Sequence, residues 1–165
     1  MSAIIDKRVC AEIEGPFVLF LIGIRLNRWW KFWQWLPVFR AMPRMLIELG
    51  RNPDLGLLHA RSHFGFPGTM VVQYWRSYEA LEAYASARDK AHLPAWAAFN
   101  KAIGTNGDVG IWHETYLIDP GKYENVYGNM PPWGMGRAGT IHDASGPRAR
   151  AMGRLKAAAG TARRD

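Results

Sequence analysis

Apolar runs and polar, turn-forming breaks alternate along the chain, and the spacing inside each run predicts an element. Residues 16–26, PFVLFLIGIRL, are apolar at nearly every position and predict a buried strand. In the segment that follows, Phe39, Met42, Leu46 and Leu49 recur at helical spacing while Arg40, Arg44 and Glu48 point elsewhere. This predicts a helix that Pro37 and Pro43 kink or divide and Gly50 caps. Residues 55–64 and 69–77 read as two strands joined by Gly65-Phe66-Pro67-Gly68, a hairpin signal. Ser77 reads as the N-cap of a helix with Glu79 in its first turn and Leu81 and Tyr84 on its apolar face. His92, Trp96, Phe99 and Ile103 share a helical face over about 94–103, and 109–119 predict a last strand.

In order, this is strand, helix, strand, strand, helix, strand. The pattern is the α+β, ferredoxin-like split βαβ arrangement, with helices on one face of an antiparallel sheet. All four strands are apolar on both sides, so the second face also needs a cover. A second copy of the chain supplies one, and two such sheets packed together form a dimeric α/β barrel. Residues 1–139 are therefore expected to be one domain. Its stretch from about 120 to 139, containing YGNMPPW, is too rich in Gly and Pro for regular structure, yet aromatic enough to fold back as a lid or pocket wall.

Composition changes this picture in three places. The net charge is +7, and from Arg137 onward seven basic residues face two acidic ones, with few large apolar side chains between them. Residues 140–165 are thus expected to be a solvated, disordered basic tail, and no nucleic-acid partner is expected. The single cysteine, Cys10, excludes an internal disulfide framework and a multi-Cys zinc site, and suits a reducing cytoplasm. No secretion signal precedes the apolar run at 17–24, which is too short to span a bilayer needing about 20 residues. Eight Trp, seven Phe and six Tyr require an aromatic core or pocket. Trp29, Trp30, Trp33 and Trp35 are assigned to core and dimer packing, the other reading being a membrane surface beside Arg28 and Lys31.

Several chemistries are excluded by missing motifs. No GxGxxG opens a predicted helix, neither GxxxxGK[ST] nor GxSxG occurs, and His113-Glu114 does not continue as HExxH because position 117 is Leu. What remains is a set of polar residues within apolar elements: Arg25, His59, Arg61, His63, Gln73, His92, His113, Glu114 and Tyr116. Buried polar groups need partners, so each implies a structural mate or a ligand. His92 stands just before a helix start, where the macrodipole favours a neutral ring suited to act as a base or to ligate haem iron.

The segments IGIRLNRWWKFWQWLP, HLPAWAAFNKAIG, VGIWHETY and YENVYGNMPPWGMGRAG resemble the DUF4188 proteins, a family likened to the monooxygenase of fumagillin biosynthesis. The likeness covers about residues 17–139. That family is placed near the antibiotic-biosynthesis monooxygenases and the haem-binding aldoxime dehydratases, both of dimeric α/β-barrel fold. The resemblance implies an oxygenase for a small, largely apolar, enolic or phenolic substrate. Such a site needs a base and donors that stabilise reduced oxygen. His92, His113 and Glu114 are the catalytic candidates, and Arg25, Asn27, Tyr74, Trp96, Phe99 and Tyr116 the substrate-binding ones. The resemblance leaves two cofactor states open, none or haem b, with His92, His63 or His113 as the iron ligand. A haem protein, either an aldoxime-dehydratase-like enzyme or a haem carrier, and a non-catalytic binding module are the alternatives to an oxygenase. The expected assembly is a homodimer in the cytoplasm.

Overall fold

The computed structural model describes residues 3–87, 97, 104 and 106–160. Two antiparallel sheets organise them. The larger has four strands, β2 (Phe17–Leu26), β3 (Leu57–Phe64), β4 (Gly68–Trp75) and β5 (Val109–Ile118), in the order β3-β4-β2-β5. The first and last of these strands thus pair side by side, and the hairpin partner β4 lies between β2 and β3, as the split βαβ pattern requires. The smaller sheet joins β1 (Ile5–Glu12), β6 (Tyr127–Met130) and β7 (Thr140–Asp143) in the order β6-β1-β7.

The helices follow their sequence signals closely. The chain after β2 forms α1 (Phe32–Phe39) and α2 (Ala41–Arg51), divided at Arg40 between the two prolines. Gly50 is not the cap: it lies inside the last turn of α2, and Asn52 closes the helix by donating its N–H to the Leu49 carbonyl. Helix α3 (Tyr78–Ser86) starts where expected, with the Ser77 hydroxyl accepting from the Ala80 N–H at 3.2 Å. The predicted helix at 94–103 lies outside the described residues.

Register sorts the side chains of the larger sheet onto two faces. Val18 pairs with Trp75, and both point to the helices, where they pack with Leu49, Leu81 and Tyr84 in the main core. Phe17, Tyr74 and Leu58 point the other way and meet Ala11, Ile13 and Met135. Strict alternation along β3 would set Leu58 opposite His59 in facing. A bulge between Leu57 and His59 breaks the alternation and turns it to the His59 side.

Two expectations fail, and one stretch without any expectation gains an element. The N-terminal residues, read only as lacking a signal, form β1. The stretch expected to be too irregular for regular structure contributes β6 and the short α4 (Met135–Ala138). Residues 140–160 are not a disordered tail: they build β7 and α5 (Ala151–Ala159). The reason is pairing of charge. Arg148 donates to buried Glu12 at 2.8 Å, with His142 at 3.5 Å from the same carboxylate. Arg154, itself buried, donates to Glu124 at 2.7 Å and to the carbonyls of Arg148 and Ala149. Cations that compositional reading gives to solvent are spent on carboxylates more than twenty residues away.

Side chains complete the smaller sheet. The Asn125 amide accepts from the Ala11 N–H at 2.7 Å and donates to its carbonyl at 2.8 Å, imitating a strand partner. The Tyr123 hydroxyl does the same for Ile13. No described helix is long and apolar enough to cross a membrane.

Candidate functional site

The four-stranded sheet offers two surfaces for chemistry, and the sequence-predicted residues divide between them. On the open face, away from the helices, β3 presents His59, Arg61 and His63, and segment 127–139 folds over them. The Trp133 ring takes the Arg61 guanidinium 3.1 Å from its centroid, a cation–π contact, and His63 sits edge-on to the same ring at 6.4 Å. The His59 Nε2 and Arg61 Nε atoms are buried without hydrogen-bond partners. Burial holds His59 below the ordinary histidine value, and the charges of Arg137 and Arg61 add to the effect. Tyr74, on the adjoining strand, is raised by burial and by Tyr127. Gly134 adopts φ +50°, and an added Cβ would stand 3.2 Å from the Tyr74 hydroxyl, so the turn can close on the sheet only without a side chain.

Across the same face, β5 presents Trp112, Glu114 and Tyr116. The Tyr116 hydroxyl donates to Glu114 Oε2 at 2.6 Å, and this bond, with the carboxylate charge, pushes the phenol up. Leu19 pairs with Tyr116 and Leu21 with Glu114, which gives the two polar groups an apolar floor. Trp112 lies over Gly23: a Cβ there would meet the indole nitrogen at 2.7 Å. Arg25 is at the end of this face and donates to Asn27 Oδ1 at 2.5 Å, while Asn27 donates to the Gly107 carbonyl. Both therefore brace the turn before β5. Buried Asp108 anchors that turn through Arg28 at 2.6 Å and Lys31 at 3.0 Å. Burial opposes its charge, but the hydrogen bonds and charges of Lys31 and Arg28 outweigh it and hold the carboxyl below the usual aspartate value.

His113 faces the helices instead, its ring 5.6 Å from that of Phe20. Phe20 in turn pairs with Gln73, a buried amide whose Oε1 accepts from the Trp75 indole at 2.8 Å. His113 is exposed, whereas His59, His63 and His142 are half-buried. In α1, the Gln34 Oε1 is buried with no donor, an acceptor available to a ligand hydroxyl. Next to it Trp35 packs on Ile24, Val109 and Ile111.

The structure thus joins Glu114 to Tyr116 and sets Tyr74, Arg25 and His63 on their face. It puts His113 on the opposite one, so His113 and Glu114 cannot meet one substrate from within a single chain. His92, Trp96 and Phe99 fall outside the described residues. Trp112 and Trp133 were missed as site candidates: each owes its place to a glycine partner or a fold-back that spacing does not reveal. Among the described residues no three His, Cys, Asp or Glu side chains converge to hold a metal. A cleft of about 300 Å³ opens where the two sheets meet, walled by Ile13, Pro16, Leu58 and Ala138, and no predicted site residue lines it.

Residues 17–135 match the family model described as Monooxygenase af470-like. The chain is 27% identical over 134 residues to Monooxygenase af470 of Aspergillus fumigatus, covering 75% of this chain and 46% of the relative. Among solved structures, an aldoxime dehydratase in complex with butyraldoxime superposes with a TM-score of 0.65 at 16% identity, covering 84% of this chain and 44% of that one. SnoaB, a cofactor-independent oxygenase from Streptomyces nogalater, aligns with a TM-score of 0.45 at 11% identity, over 62% of this chain and 92% of SnoaB. The chain spans about half the length of both the curated relative and the aldoxime dehydratase.

Proposed function

Because this chain belongs to the af470-like monooxygenase family, we propose that it oxygenates a small, largely apolar, enolic or phenolic substrate bound between the sheet and the helices. The observation that carries this reading is the division of the sheet: the helix side has an apolar floor at Phe20 and Ile22 with one open histidine, His113, beside it. In this mechanism an imidazole, His92 or His113, removes a proton from the substrate. The resulting anion reduces dioxygen, one oxygen atom stays on the oxidised carbon, and the other leaves as water with the two hydrogens that carbon gives up. The substrate is then its own reductant. Trp96 and Phe99 wall the pocket in this proposal. In this proposal the open face, with Tyr74, Glu114 and Tyr116, meets a second copy of the chain.

Oxygen uptake with a panel of enolic and phenolic compounds tests the proposal. His92→Ala or His113→Ala is expected to lower the rate about 10²–10⁴-fold, whichever is the base. Full activity in both folded variants, with loss in Glu114→Gln, moves the site to the open face. A second reading, haem b on His113 or His92, is favoured by the exposure of His113 and by the family resemblance. A Soret band in protein made with added haem precursor, lost on changing one histidine, would establish it. There haem would supply the redox chemistry, and the histidine would hold the iron.

A further inference from the structure

Between Glu14 and Glu48 the sequence contains no acidic residue, yet it carries Arg25, Arg28, Lys31, Arg40 and Arg44 and four tryptophans. A second acid-free stretch, 55–78, holds the β3–β4 hairpin with Phe64 and Phe66 at its tip. The fold brings these two stretches together at one end of the larger sheet. Trp29 meets Phe66 with ring centroids 6.5 Å apart, and Phe39 meets Phe64 at 6.1 Å. Trp29, Trp30, Phe32, Trp33, Phe64 and Phe66 are each between 55% and 76% exposed. Of the four tryptophans expected in core and dimer packing, only Trp35 packs into a core cluster within the chain.

This exposure is built into the loop. The Trp35 indole donates to the Trp29 carbonyl at 2.8 Å, while Asp108 ties down Arg28 and Lys31, so the loop backbone is fixed with its aromatic rings outward. A continuous outward patch of this kind marks an interaction surface. Its chemistry selects the partner. Indoles favour the boundary between water and lipid, and cations bordering them favour anionic headgroups. Arg40 follows Phe39 directly and Arg44 lies one helical turn on, both exposed. In the assembly proposed above, the second copy covers the open sheet face, which leaves this end of the molecule free.

We propose that this end of the molecule docks on the surface of an anionic phospholipid bilayer, with Trp29, Trp30, Trp33 and Phe66 entering the headgroup region and Arg40 and Arg44 facing the lipid phosphates. The proposal stands independently of the reaction catalysed. Co-sedimentation of the full chain with phosphatidylcholine vesicles containing about one third phosphatidylserine, against phosphatidylcholine alone, tests it. Binding is expected on the anionic vesicles, with tryptophan quenching by brominated lipid, and much less on the neutral ones. Arg40→Gln and Arg44→Gln should each weaken it about fivefold, the equivalent of ~1 kcal/mol per cation. Trp29→Ser with Phe66→Ser should abolish it while circular dichroism stays unchanged. No binding to anionic vesicles at low salt overturns the proposal, as does equal binding to both lipids that the aromatic changes leave intact. If the aromatic changes instead halve the sedimenting mass without lipid, the patch is a contact between copies and the proposal is wrong.

Discussion

Val18 and Leu19 are neighbours on β2 and equally apolar, yet they have different surroundings. Val18 is sealed with Trp75 beneath α2 and α3, whereas Leu19 lies half-exposed in a row with Tyr74 and Tyr116. Near Phe17 the chain covers this second face itself, with β1 and α4. Towards Leu21 and Gly23 it leaves Trp112 and Glu114 to solvent. A strand apolar on both sides demands two covers, and this chain supplies one and part of another. The helix side thus carries the main core, and the open side is covered by the chain only in part.

Substitutions on each face can break that contrast. Trp75→Ala, at a site with 1% exposure, removes the largest core side chain and leaves Gln73 without its donor. It should cost about 3–5 kcal/mol in chemical denaturation. Leu21→Glu, on the open face, should leave the unfolding midpoint of the monomer nearly unchanged but halve the mass seen in sedimentation velocity. A mass unaffected by that charge would mean the open face is not where copies meet. The smallest effect concerns His59. Its folded pKa is depressed, so the unfolded chain takes up the proton first. Its contribution to stability is complete above the unfolded value of 6.5 and is lost as pH falls through that value towards the lower folded one. His59→Gln should flatten the stability profile in that window, and an unchanged slope would show that another group sets it.

The parts legible in the sequence were those encoded by neighbours. The apolar run of β2, the turn residues of the β3–β4 hairpin and the Ser77 cap each act within a few positions, and they yielded the four-stranded unit. The failures share a different cause. Asp6, Lys7 and Arg8 mask the buried Val9-Cys10-Ala11 run of β1, whose partners are beyond residue 120. The basic C-terminal stretch looked solvated because Glu12 and Glu124, which neutralise Arg148 and Arg154, are distant in sequence. Of the site, strand alternation alone suffices to separate His113 and Thr115 from Glu114 and Tyr116. It did not foresee the bulge that turns Leu58, or that Gly23 makes room for Trp112.

The pairing of β1 also sets a timetable for synthesis. Val9 leaves the ribosome roughly 130 residues before Asp143, its partner in β7. At ~5–20 residues per second, the strand waits on the order of ten seconds with no edge to join. The four-stranded unit can assemble in that interval, because β2 to β5 close among themselves. The smaller sheet can close only once residues 127–143 have been made and have left the ribosome, so β1 is the strand that waits longest for its partners.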